Sequence, residues 1–258
     1  DRVPFGIISK YGEKDGRLVY NLGQHQREKI KEEIKECEKL ARVVSNEKRL
    51  TKVCFDMERI GIRIDRQYSQ RGYEYELAEA SKAAAKFKEI SGHDFVDSGK
   101  ALQVAFDEVG EKYPTTAKGN PSFTEKVLKD FTSPLAKLVL QHRAATKRAC
   151  TYYENFLYYA DSRDRIHPNM KQDGTDTARF SYSEPNLQNV PKEETGDMKI
   201  RSAFIPTSDE WCLVMIDYDQ MEYRLLLEYA KEMAVINAIL HDGLDVHTAT
   251  AKMMGVTR

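Results

Sequence analysis

The 258-residue chain has no CxxC pair: its four cysteines, Cys37, Cys54, Cys150 and Cys212, stand far apart. A zinc site built on close-spaced thiols is thereby excluded, and the pattern reads as reduced cytosolic thiols rather than a disulfide framework. No apolar run approaches the roughly 20 residues of a membrane span, and no charged-then-apolar leader opens the chain, so no membrane role is expected. Net charge is nearly absent, at −1 from 40 Lys and Arg against 41 Asp and Glu. A polyanion would have to be held by a local basic patch, because the field of the whole molecule is weak. Residue 1 is Asp rather than Met, which reads as a processed chain or as numbering that starts inside a longer gene product.

What is present is a globular composition, 41% hydrophobic and 31% charged. Gly6, Gly12, Gly16 and Gly23 make the first twenty-odd residues read as irregular. Ile30, Ile34, Cys37 and Ala41 then repeat at helical spacing and predict an amphipathic helix over 24–44. A second helix carries Leu50, Val53, Cys54 and Met57, with Gly61 as a left-handed cap. "IRID" reads as a short strand and residues 69–91 as a long helix. Ser98 caps the next helix, which Gly110 closes; Thr124 starts a short one; Ser133–Pro134 opens one running to about Tyr159. In that last helix Ala145, Ala149, Tyr152 and Phe156 form one stripe, and Arg143, Lys147 and Thr151 another. Residues 167–196 look structureless and therefore functional or disordered. "MKIRSAFIP" reads as a strand, "EWCLVMID" as a buried strand, residues 220–233 as a helix, and "DVHTATA" as one more helical start. The expected division is an N-terminal segment and amphipathic helix (1–48), a helical region (49–165) and a strand-containing region (166–258), within an α+β fold.

The chemistry concentrates at "DYDQMEYR", Asp217–Arg224, where three acids fall within six residues directly after an apolar run. Locally the cluster supports two readings. Asp217 or Asp219 can cap the helix that follows, or a carboxylate anchored by a strand end can bind a hard cation such as Mg²⁺, which takes one or two carboxylates plus substrate phosphates. Two other clusters compete: Asp56-x-Glu58, which mimics an exonuclease motif, and His241, Asp242, Asp245 and His247, which could form a phosphohydrolase metal site.

The run "TDTARFSYSEPNLQNVP" resembles family A DNA polymerases, the group of bacterial DNA polymerase I and its phage relatives. The family pattern is a Gln, then T-x-T-G-R-L-S, then P-N-L-Q-N-I-P. Here it stands as Gln172, Thr175, Thr177, Arg179, Ser181, Pro185, Asn186, Leu187, Gln188, Asn189 and Pro191. A Gly, an I-R-x-A-F run and D-Y-S-Q-I-E-L-R follow in the family; this chain has Gly196, "IRSAF" and "DYDQMEYR" in that order. Asp245, His247 and Thr250 match D-I-H-x-x-T-A. Upstream, "MERIGIRID" is similar to M-E-x-x-G-I-x-I-D, and "HRAATKRACTYY" to R-x-x-x-K-x-x-x-T-Y. The chain departs from the pattern at Ala178, Phe180, Tyr182, Asp219, Met221 and Tyr223.

The resemblance implies a helical thumb followed by the first strands and helices of a palm, and DNA synthesis with two Mg²⁺ ions. By it, Asp217 is the catalytic carboxylate that ligates metal, with the Tyr218 carbonyl as a second metal ligand. Gln220, Glu222 and His247 face the incoming deoxynucleoside triphosphate. Arg143, Lys147, Thr151, Gln172, Thr177, Arg179, Asn186, Gln188, Asn189 and Arg224 face primer–template DNA. The stretch Lys137–Lys171 supplies a local basic patch, with seven Lys or Arg against three acids. The family's triphosphate-binding helix and its second metal carboxylate are not among these 258 residues. The expectation is therefore an incomplete catalytic chain whose C-terminal polymerase segment, fingers and remaining palm, is supplied in cis or as a second chain, in a bacterial or phage-infected cytoplasm. The alternative is a non-catalytic primer–template binding module. A single-subunit RNA polymerase shares the palm plan, but Glu222 argues against it.

Overall fold

A single capping side chain starts each of the main core helices. A computed structural model of the protein describes residues 5–191 and 197–255; Gly196 lies outside the described residues. The Asp65 carboxylate accepts from the Tyr68 amide and starts α3 (Arg66–Ser91), which Gly92 ends in a left-handed conformation. Ser98 starts α4 (Gly99–Glu108) and Ser133 starts α6 (Pro134–Thr146), each hydroxyl accepting a backbone amide three residues on. The five-residue α5 (Glu125–Lys129) lies between them. Beyond α6 the chain winds through a π-helical segment, Lys147–Tyr153, into α7 (Glu154–Tyr159).

Upstream, the irregular start is corrected: α1 (Phe5–Glu36) contains Gly12, Gly16 and Gly23. Each internal glycine costs about 1 kcal/mol relative to alanine, but helix propagation is cooperative and a long helix tolerates a few such residues. The helix expected over 24–44 is broken at Cys37, which is extended, and α2 runs Glu38–Ile60. Gly61 has φ +62 but ψ −176, so it ends α2 outside the left-handed helical region, its amide donating to the Met57 carbonyl. A Cβ there would lie 2.5 Å from the Ile166 carbonyl oxygen and 2.7 Å from His167 Nδ1. That close approach lets β1 (Ile62–Arg63) pair antiparallel with β2 (Arg165–Ile166).

The segment expected to be structureless carries regular elements in its described part, up to Pro191. β3 (Asn169–Lys171) pairs with β4 (Ser181–Ser183) in register Met170↔Tyr182, and a 3₁₀ turn follows at Leu187–Asn189. "MKIRSAFIP" is corrected likewise: Ile200–Ala203 form a 3₁₀ turn, and Phe204 only bridges Ile64. The fold is α+β, with helices dominant and two two-stranded antiparallel sheets among the described residues.

Two cores sit at opposite stretches of α3. Phe87 of α3 packs with Leu102, Phe106, Phe123, Leu128, Leu135 and Val139. Ile64, Tyr152, Tyr153, Phe156, Ile166, Val190 and Ile200 form the second. The predicted stripe Ala145, Ala149, Tyr152 and Phe156 is buried throughout. The Tyr153 ring lies against the backbone of Gly72, where a Cβ would approach to 2.5 Å, so α3 and the π-helical segment meet at van der Waals contact only because residue 72 lacks a side chain.

The chain divides into two compact units, Asp1–Glu210 and Trp211–Arg258. The boundaries expected at 48/49 and 165/166 do not coincide with this division: the first falls inside α2 and the second inside β2. In the second unit, Lys231 adopts a left-handed conformation and ends the helix expected over 220–233 as α8 (Met221–Ala230); α9 (Met233–His241) and α10 (Val246–Met253) follow. "EWCLVMID" is not a buried strand. Met215 is 85% and Ile216 90% exposed. An apolar run becomes a strand only where another strand completes its hydrogen bonds, and among the described residues no ladder includes 211–219.

Candidate active site

The loop between β3 and β4 closes on a threonine. Thr175 Oγ1 accepts from the Arg179 amide at 2.9 Å, donates to the Arg179 carbonyl at 2.8 Å, and lies 3.3 Å from Thr177 Oγ1. Both threonines of the motif thus shape the loop, and the Arg179 side chain projects from its base, exposed. Between Thr177 and Arg179, Ala178 has φ +56, a conformation that costs an L-residue about 1–2 kcal/mol. Glycine, the family's residue there, would not pay it. Ala178→Gly is expected to stabilise the protein by about 0.5–1 kcal/mol after the added freedom of the unfolded chain is subtracted. A thermal melt checks it, and a lowered melting temperature would contradict the strain reading.

Gln172 lies at the hairpin's start but turns toward α2. Its Nε2 donates to the Glu47 carboxylate at 2.9 Å, and its Oε1 accepts from Thr51 at 2.8 Å. Its observed contacts tie the hairpin to α2. Asn186 caps the following 3₁₀ turn by accepting from the Gln188 amide, and Gln188 Nε2 donates to the Phe180 carbonyl at 2.7 Å. The Asn186, Gln188 and Asn189 side chains are exposed on one turn beside the Arg179 loop. Tyr182, on β4, is half-buried, and burial pushes its phenol above the ordinary range.

Three of the seven basic groups of the Lys137–Lys171 patch are engaged in internal bonds. Arg143 forks onto the Asp97 carboxylate and donates to the Phe123 carbonyl. Arg148 forks onto Glu76 at 2.7 and 2.8 Å, and Arg165 donates to the Ile60 and Gly61 carbonyls. The guanidinium expected to meet phosphates at Arg143 is therefore engaged within the protein. Lys147 and Thr151, one turn apart in the π-helical segment, remain exposed. Positive charge was visible in the sequence; the acids that neutralise it, Asp97 and Glu76, lie 46 and 72 residues away in the chain.

In the second unit, Asp217, Tyr218 and Asp219 precede α8 on an exposed stretch. Gln220, with φ 52 and ψ 37, turns the chain into the helix. Arg224 fastens that turn: its Nε donates to the Asp219 carbonyl at 2.8 Å and its Nη2 to the Asp219 carboxylate at 3.1 Å. A cleft there is lined by Asp217, Tyr218, Asp219, Met221, Arg224 and Leu225. Glu222 is exposed on the first turn of α8. The strand expected to anchor Asp217 is not formed, and the support for this turn comes from Arg224. Asp245 accepts from the His247 amide at 3.0 Å and from the Thr248 hydroxyl at 2.9 Å, so it starts α10; His247 is exposed. Among the described residues no group of three or more His, Cys, Asp or Glu could hold a metal ion. The competing phosphohydrolase reading of His241, Asp242, Asp245 and His247 gains no support from this arrangement. In the exonuclease-like pair, Asp56 pairs with Lys52, and Glu58 accepts from the Met170 amide.

The family model for DNA polymerase family A matches residues 65–258. The chain belongs to DNA polymerase family A. It is 32% identical over 234 residues to DNA polymerase I of Bacillus subtilis, covering 88% of this chain and 26% of that protein. It is 35% identical over 223 residues to the thermostable DNA polymerase I of Thermus aquaticus, covering 82% of this chain and 26% of that protein. It therefore spans about a quarter of the length of these curated relatives. Among solved structures it resembles the POL domain of Pol1 from M. smegmatis, in complex with DNA primer-template and dNTP. The TM-score is 0.67 at 26% identity, covering 80% of this chain and 37% of that one.

Within this family A chain, Arg143, Gln172, Thr175, Thr177, Asn186, Gln188 and Asp245 make side-chain bonds that hold local structure. Arg179, Asn189, Lys147, Thr151, Asp217, Tyr218, Glu222 and His247 are exposed. Arg201, not singled out in the sequence, holds the Val190 and Pro191 carbonyls. The "IRSAF" run was legible; the partners of its arginine were not. Asp217 offers hard oxygen to a cation and suits Mg²⁺, which is content with one or two carboxylates. The described residues alone do not complete a two-ion donor set. Among the described residues no helix is long and apolar enough to cross a membrane.

Proposed function

We propose that the chain is the primer–template-holding part of a template-directed DNA polymerase, acting in the cytoplasm of a bacterial or phage-infected cell. Its helical region to about residue 165 serves as the thumb, and the remainder as the first part of the palm. The observation that carries the reading is the Asp217–Arg224 turn: an exposed carboxylate on a turn fastened by Arg224, in a chain of the polymerase family. Lys147 and Thr151 hold duplex phosphates, which give affinity without sequence information. Arg179, Asn186, Gln188 and Asn189 meet the minor groove, whose acceptors are shared by all correct pairs and so test pair shape. Asp217 and the Tyr218 carbonyl hold Mg²⁺, and Gln220 and His247 lie toward the triphosphate. When bound, two such ions neutralise the phosphates and activate the primer hydroxyl. The second carboxylate and the triphosphate-binding helix come from a further polymerase segment, in cis or as a second chain.

Glu222 sets the sugar. Five residues beyond Asp217 and at the start of α8, its side chain occupies the space a 2′-hydroxyl would need. A ribose must then clash or bury its hydroxyl badly, a penalty borne by the wrong substrate alone. In the completed enzyme Glu222→Ala is expected to lower the preference for deoxynucleotides about a hundredfold, equivalent to about 2.7 kcal/mol. Competitive incorporation of paired deoxy- and ribonucleotides measures it. An unchanged ratio with altered stability would reduce Glu222 to a helix-terminal charge.

A further inference from the structure

We infer that Tyr152 and Arg201 are positioning residues for the turn at 186–191, an inference that rests on the polymerase reading above. Three consecutive backbone carbonyls of that turn are each held by a side chain from another element. Tyr152 Oη donates to the Asn189 carbonyl at 2.7 Å. Arg201 Nη2 donates to the Val190 carbonyl at 3.1 Å, and its Nε to the Pro191 carbonyl at 2.7 Å. From the hairpin side, Gln188 Nε2 grips the Phe180 carbonyl at 2.7 Å. Tyr152 is itself buried in the second core, and Val190 packs there too. The turn is thus tied to the π-helical segment, to the 3₁₀ turn of "IRSAF" and to the Arg179 hairpin at once.

A surface turn outside any ladder is ordinarily mobile. A recognition group needs placement within about 0.5 Å to discriminate geometries. The Tyr152 and Arg201 bonds supply that placement: Asn186, Gln188 and Asn189 project from a backbone that cannot shift without breaking them. Neither residue touches DNA in this arrangement. Their effect is on how sharply the turn distinguishes a correctly paired primer end from a distorted one.

The test uses the completed polymerase and primers with matched or mismatched 3′ ends. Tyr152→Phe removes one oxygen, and Arg201→Lys keeps the charge but loses the fork. Each is expected to lower the matched-to-mismatched ratio of kcat/KM about fivefold. The double variant should fall short of the product of the two, because both act through one segment. Arg201→Ala should lower the ratio at least as far as Arg201→Lys, and if it fails to fold Tyr152→Phe decides alone. A purely structural role would slow both primers equally; an unchanged ratio overturns the inference while leaving the polymerase reading intact. A wild type that extends neither primer overturns the polymerase reading, and the inference with it.

Discussion

Asp217→Ala is expected to abolish primer extension in the completed enzyme, with deoxy- and ribonucleotides alike. In the proposed reading the carboxylate would hold the Mg²⁺ that offsets phosphate charge, and positioning plus charge neutralisation is nearly all such a site has to offer. Loss on the order of a thousandfold or more is expected, equivalent to about 4 kcal/mol. Asp219→Ala is the informative neighbour. Its carboxylate already accepts from Arg224, so its removal should loosen the turn and slow extension far less. Single-turnover extension rates compare the two. Asp217→Ala within tenfold of wild type, or Asp219→Ala the more damaging, would assign the metal to the wrong acid.

Arg148→Ala is expected to cost about 3–5 kcal/mol of stability, because it leaves a buried carboxylate unpaired. Glu76 is 1% exposed, and Arg148 approaches it with two parallel bonds between α3 and the π-helical segment. The penalty belongs to the orphaned charge more than to the pair. Replacing both residues with apolar ones of similar volume, Glu76→Leu with Arg148→Met, should recover most of the loss. Denaturant midpoints at constant slope measure both. A single variant within about 1 kcal/mol of wild type would mean that water reaches Glu76.

What the sequence made legible were features decided by neighbours along the chain. Ser98 and Ser133 cap the helices expected of them, because a cap needs only an amide two or three residues away. The buried stripe Ala145, Ala149, Tyr152 and Phe156 was legible from its spacing, although the π-helical winding that carries it was not. Features decided by distant partners were misread. The bond between Arg143 and Asp97, 46 residues away, was not legible. The apolar run at 211–216 looked like a core strand, but a continuous apolar run says nothing about whether a second strand lies alongside. Glycines 12, 16 and 23 suggested irregularity, yet each weighs only a local cost against a cooperative helix. At the candidate site, the identity of the motif residues was legible. The local bonds several of them make were not, since nothing in the sequence pairs Gln172 with Glu47 and Thr51, which lie 125 and 121 residues away.

The most direct measurement is primer extension by the purified 258-residue chain, alone and with the downstream polymerase segment of a family A enzyme added in trans or fused in cis, beside titration of the same primer–template across salt. The expected result is salt-dependent duplex binding with little sequence preference, no extension by the chain alone, and extension that appears with the added segment and disappears again with Asp217→Ala. Robust extension by the 258 residues alone, or a strong preference for one duplex sequence with no extension under any complementation, would contradict the account.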